Sequence, residues 1–162
     1  RKELNQAAAK LNQLTPNIKA IVGDEMKGYM INGDAAIGVT FSGEASEMLS
    51  SNPDLRYVVP SEGSNLWFDN IVIPKTAKHE KKAYAFINFM LKPENAAQNA
   101  EYIGYATPNK AAKALLPKSV KANKAFYPSE ETIKNLEVYN NLGQEWLGIY
   151  NDMYLQFKMY RK

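Results

Sequence analysis

Ala35-Ala36-Ile37-Gly38-Val39-Thr40-Phe41, followed at once by Ser42-Gly43-Glu44-Ala45-Ser46-Glu47, is the stretch on which the fold turns. Seven apolar, small or β-branched residues make a strand of the kind that lies deep in a sheet covered on both faces. The polar, acidic text after them opens a helix with no loop between, and strands that run into helices are the unit of α/β architecture. Phe41 and Ser42 then stand at a strand C-terminus, where open α/β sheets form ligand crevices.

The flanking sequence repeats this alternation. Leu4, Ala7, Ala8, Leu11 and Leu14 recur at helical spacing until Pro16 stops them, so residues 3–14 read as a surface helix. Residues 18–22, short and β-branched between Pro16 and Gly23, read as a strand. Asp24 is placed to cap a helix over 25–31, closed by Asn32-Gly33. Residues 56–59 make another strand, and Pro60-Ser61-Glu62-Gly63 a loop. Beyond residue 74 the period becomes helical: 80–91 carries Ala83, Phe86, Ile87 and Met90, and a second helix starts at Pro93, carries Ala96, Ala97, Ala100 and Ile103, and ends at Gly104. A polar loop, Tyr105-Ala106-Thr107-Pro108-Asn109, follows. Ser129 with Glu130 and Glu131 begins a capped helix, and a last helix over 142–160 has Leu142, Trp146, Ile149, Met153, Phe157 and Tyr160 as its stripe. The expected class is α/β with a mostly parallel sheet and no internal repeat.

Composition narrows the function by exclusion. With 162 residues, 45% hydrophobic and 23% charged, the chain has the balance of an ordinary globular protein and enough length for one core. No apolar run nears the roughly 18 residues of a membrane span. The text opens on Arg1-Lys2-Glu3-Leu4, which reads as helix interior and as a piece of a longer chain. A net charge of +3 with scattered lysines describes solvated helix faces and no nucleic-acid stripe. Absent cysteine removes thiolates, disulfides and Cys-based metal sites. The single histidine, His79, lies in Ala77-Lys78-His79-Glu80-Lys81-Lys82, a solvated helix start without the converging ligands a metal needs. Phe41-Ser42-Gly43 lacks the first glycine of a nucleophile elbow, and no histidine is placed as its base. No phosphate loop or calcium loop is present. No catalytic residue, metal ligand or cofactor is therefore expected.

What remains is a set of aromatics at element ends and in loops: Phe41, Trp67, Tyr105 and Tyr139. In Gly63-Ser64-Asn65-Leu66-Trp67-Phe68-Asp69-Asn70-Ile71-Val72-Ile73-Pro74, an extended backbone would send Trp67 and Asp69 to one face. A π-face beside a carboxylate suits an organic cation, whose N–H groups the anion accepts while the indole covers methylenes. From these residues alone a second reading stays open, with Trp67 in a core and Asp69 capping a turn.

Taken together, Trp67-Phe68-Asp69-Asn70 with Ile73-Pro74, Ile103-Gly104-Tyr105-Ala106-Thr107-Pro108-Asn109, and Tyr127-Pro128 followed by Glu131-Thr132-Ile133 resemble the polyamine-binding proteins of spermidine/putrescine ABC transporters. The resemblance covers almost the whole chain and matches the C-terminal half of the family. It implies a two-lobed, periplasmic-binding-protein-like fold of type II, with residues 1–62 and 113–162 in the second lobe and 63–112 crossing into the first. Carried over by position, Trp67, Asp69 and Tyr105 are ligand contacts. Phe41 stands where the family often has Trp, on the second lobe's wall, and Tyr139 where it often has Gln, offering one hydroxyl in place of an amide. The implied protein is no enzyme: it captures a polyamine outside the cytoplasm, in the periplasm or lipid-anchored at the outer face of the cell membrane, and delivers it to a membrane permease. A receptor for another small solute, or the effector domain of a cytoplasmic regulator, are the other readings.

Overall fold

A helix closes its own backbone hydrogen bonds, whereas a strand needs a neighbour. The computed structural model, which describes residues 1–159, follows that difference closely. Its helices are α1 (Lys2–Asn12), α2 (Met26–Ile31), α3 (Ser42–Ser51), α4 (Glu80–Leu91), α5 (Pro93–Ile103), α6 (Lys110–Leu115), α7 (Lys118–Ala122), α8 (Glu130–Lys134) and α9 (Gly143–Met159). Two strands of two residues each, β1 (Ser64–Asn65) and β2 (Leu136–Glu137), pair in parallel with Ser64 opposite Leu136 and Asn65 opposite Glu137. The chain is thus mixed α/β and rich in helix.

The strands expected over 18–22, 35–41 and 56–59 do not form among the described residues, and the extended reading of 66–74 yields no strand beyond Asn65. The reason lies in their surroundings. Ile37 is 88% exposed, Val39 96%, and Val72 77%, so side chains chosen for a pleated, covered surface meet water instead of a partner strand.

Two compact units divide the chain: Arg1–Gly38 with the described residues from Asn140 on, and Val39–Tyr139. These bounds are not those of the lobe assignment 1–62, 63–112 and 113–162, which concerns the longer two-lobed fold. In the first unit α1 packs on α9. Half-buried Leu4 and Ala8 on α1, and Ile149, Met153 and Phe157 on α9, are the inward faces at helical spacing. Leu11, Leu14, Leu142 and Trp146 remain exposed, and Tyr160 lies outside the described residues. Asp24 does not cap α2. Its neighbour Glu25 holds the turn, accepting from the Gly23 N–H at 3.1 Å. Lys19 pins the middle of the unit, donating to the Asp34 carbonyl at 2.8 Å with its Nζ 5.1 Å from the centre of the Tyr29 ring.

The second unit is built on small residues. Ala97 on α5 and Ala112 on α6 are buried with Leu116, and Ala96, Val120 and Tyr127 pack around them. Alanine faces allow the helices to approach closely, and Ala112 is fully sealed. Tyr57 stacks on Phe126 with ring centres 5.8 Å apart, and burial raises its phenol above the ordinary pKa. Local chemistry sets the helix ends: Pro93 starts α5, Gly104 at φ 72° stops it, and the Ser129 hydroxyl accepts from the Thr132 N–H at the start of α8. His79 occupies the exposed cap position of α4.

Candidate functional site

Tyr105 follows the left-handed stop of α5 and begins a loop tied down at every second residue. The Thr107 N–H donates to the Tyr127 hydroxyl at 3.1 Å. Thr107 Oγ1 in turn accepts from the Asn109 N–H at 3.2 Å. Asn109 Oδ1 accepts from the N–H groups of Ala111 and Ala112, capping α6, while its Nδ2 donates to the Leu91 carbonyl at 2.9 Å. One asparagine thereby joins the end of α4 to the start of α6. The non-periodic text of this loop is explained by these bonds: its polar side chains do the work of a secondary structure.

Trp67 comes two residues after β1, and β1 is locked to β2. The Leu66 N–H donates to the Glu137 carbonyl at 2.9 Å, and Asn65 Nδ2 reaches the same oxygen at 3.0 Å. Phe41 is held from the other direction as the residue before α3. Its carbonyl accepts from the Ala45 N–H at 3.0 Å, and Thr40 Oγ1 donates to Glu44 Oε2 at 2.6 Å across the helix start.

Three of the five expected site residues meet. The Trp67 ring lies edge-on to Phe41, with centroids 5.2 Å apart at 66°, and edge-on to Tyr105 at 5.8 Å and 78°. Each such pair contributes about 0.5–1.5 kcal/mol beyond its buried area. Trp67 and Tyr105 are half-buried and Phe41 is exposed, so the trio is an open aromatic surface and no sealed core. Phe41 stands beside Trp67 in one unit and is not at the end of a strand.

Asp69 is exposed, two residues beyond Trp67, and has no hydrogen-bond or ion-pair partner among the described residues; a turn-capping role would have required one. The local side-chain bond there belongs to Asn70, whose Nδ2 donates to the Phe68 carbonyl at 3.0 Å. Tyr139, 81% exposed beyond β2, shares no ring contact with the trio. Among the described residues no three His, Cys, Asp or Glu side chains gather as metal ligands. No described helix is long and apolar enough to cross a membrane. The arrangement offers flat rings and one unpaired carboxylate, the chemistry for holding a cation with an apolar stem. Sequence reasoning missed Gly43, which is buried directly against the Tyr105 ring. The signal available was a glycine early in a helix, where it is disfavoured unless something needs the space.

The model of the bacterial extracellular solute-binding proteins matches residues 1–128. The spermidine/putrescine-binding periplasmic protein of Escherichia coli K12 is 38% identical over 157 residues, which are 97% of this chain and 45% of that protein. The spermidine/putrescine ABC transporter substrate-binding protein of Streptococcus pneumoniae superposes with a TM-score of 0.88 at 67% identity, over 99% of this chain and 50% of that one. A solved structure from Listeria monocytogenes gives a TM-score of 0.89 at 61% identity, over 98% of this chain and 49% of that one. The chain spans about half the length of the relatives it matches and takes the corresponding part of their periplasmic-binding-protein fold. It belongs to the bacterial extracellular solute-binding proteins.

Proposed function

We propose that the chain forms part of a polyamine receptor, which captures spermidine or putrescine outside the cytoplasm and delivers it to an ABC permease in the membrane. The observation that carries this reading is the edge-to-face trio of Phe41, Trp67 and Tyr105 with the unpaired, exposed Asp69 two residues from its central ring. The names of the relatives point to the same ligand class.

The chemistry fits step by step. A polyamine is a flexible methylene chain with an ammonium every few carbons. Asp69 accepts from one ammonium, and the three rings cover the hydrocarbon beside it. Tyr139, which shares no ring contact with the trio here, would offer a single hydroxyl where the resemblance implies a ligand contact. The protein's positive charge does not oppose this, because the Debye length is about 8 Å at physiological salt and distant lysines are screened. No bond is made or broken. In the longer two-lobed fold, residues 1–62 and 113–162 lie in one lobe and 63–112 cross into the other; hinge closure over the ligand creates the form that the permease reads. The receptor works in the periplasm or from a lipid anchor at the outer face of the cell membrane.

Calorimetric titration of the full-length protein with spermidine, comparing wild type with Asp69→Asn, tests the reading. The amide keeps the shape and removes the charge. Losing a charge-assisted hydrogen bond worth roughly 1.5–3 kcal/mol lowers affinity about tenfold to a hundredfold, while the melting temperature without ligand stays put. Undiminished spermidine binding by Asp69→Asn would falsify the reading.

A further inference from the structure

Gly43 is the second residue of α3 and is buried. Its φ is not in the left-handed region, so the helix does not require glycine there. What requires it is Tyr105. A Cβ built on Gly43 would fall into the Tyr105 ring, against Cε2, Cδ2 and Cζ. One turn further along, Gly104 makes the same approach from the opposite side: at φ 72° it stops α5, and a Cβ there would lie 3.0 Å from the Ser46 Cβ. Two glycines on facing segments therefore let the first turn of α3 touch the Tyr105 loop backbone to ring. The same ring meets Trp67 edge-on, with centroids 5.8 Å apart at 78°.

We propose that Gly43 is a positioning residue for the ligand surface: the absence of its side chain seats Tyr105 edge-on to Trp67 and so sets the spacing of the aromatic faces. The proposal rests on the polyamine reading for the identity of the ligand, but not for the geometry. A methyl at position 43 must displace either the helix or the ring. Ala45 and Met48 are buried on the face of α3 turned away from Gly43 and hold the helix from behind, whereas Tyr105 is only half-buried, so the ring gives way. Tyr105 then leaves Trp67, and the surface loses one of its three faces.

The test uses the full-length protein with Gly43→Ala, Tyr105→Leu and the double variant. Near-ultraviolet circular dichroism without ligand reads the Trp67 environment, and spermidine titration reads affinity. Gly43→Ala is expected to change the near-ultraviolet spectrum as Tyr105→Leu does, with far-ultraviolet signal unchanged. Its affinity falls roughly three- to tenfold, the loss of one aromatic contact. In the double variant the glycine substitution adds nothing, since its effect passes through a ring already removed. An unchanged near-ultraviolet spectrum for Gly43→Ala overturns the proposal, as does a double variant whose losses multiply. If Gly43→Ala does not fold, Gly43→Ala with Tyr105→Ala is expected to fold again; failure to do so means that the glycine serves helix packing alone. Spectral coupling with no spermidine binding by wild type would leave the positioning role standing and remove the polyamine reading.

Discussion

The α5–α6 pair and the run leading into α3 are both apolar text, yet one is sealed and the other faces water. Ala112 is fully buried against Ala97 and Leu116, while Ile37 and Val39 are almost wholly exposed. A helix arrives with its backbone satisfied, so two alanine faces need only approach each other. A β-branched run cannot cover itself: its N–H and C=O groups and both side-chain faces need neighbouring strands. In Val39–Tyr139 the partners that exist, β1 and β2, extend over two residues each, and the site's central Trp67 hangs directly from that short ladder.

The contrast breaks most easily at Leu116. Leu116→Ala opens a cavity in the small helical core and should cost about 2–5 kcal/mol in urea unfolding of the full-length protein. A loss below 1 kcal/mol would mean that this cluster does not anchor the unit. Asn109→Ala comes next, removing the cap of α6 and the tie to the Leu91 carbonyl; about 0.5–2 kcal/mol is expected. This variant also frees the Tyr105 loop, so hydrogen exchange at Thr107 should rise with it, and protection as in wild type would deny the loop its dependence on Asn109. The smallest effect belongs to the exposed run. Val39→Thr should stay within about 0.5 kcal/mol if the residue faces water in the full-length protein as it does here. A loss of 2 kcal/mol or more would show that strands from elsewhere in the protein cover it, and would move this segment from the exposed to the sealed side of the comparison.

Legibility followed the range of the interactions. Residues 80–91 and the Pro93–Gly104 segment were readable to the residue because proline at a helix start and glycine at φ 72° act locally. Ser129 was readable for the same reason. The short α6 and α7 escaped, since Asn109 reads as a loop residue until its side chain is seen accepting from two N–H groups. Phe41, Trp67 and Tyr105 stood out singly as aromatics without a buried stripe. Nothing in their spacing of 26 and 38 residues stated that the rings touch, or that a glycine beside Phe41 makes room for the third.

By itself the sequence determined the longer helices, the start at Pro93, the stop at Gly104 and the Ser129 cap, the absence of cysteine chemistry, and the aromatic and acidic residue types that a cationic, apolar ligand needs. Each of these depends on side chains within a few positions of one another, or on composition alone. Tertiary structure decided which extended runs became strands, that Trp67 and not Asp69 joins Phe41 and Tyr105, and that Gly43 lies under a ring 62 positions away in the chain. Those outcomes depend on closing long loops to bring distant groups together, and local propensity carries no term for that closure.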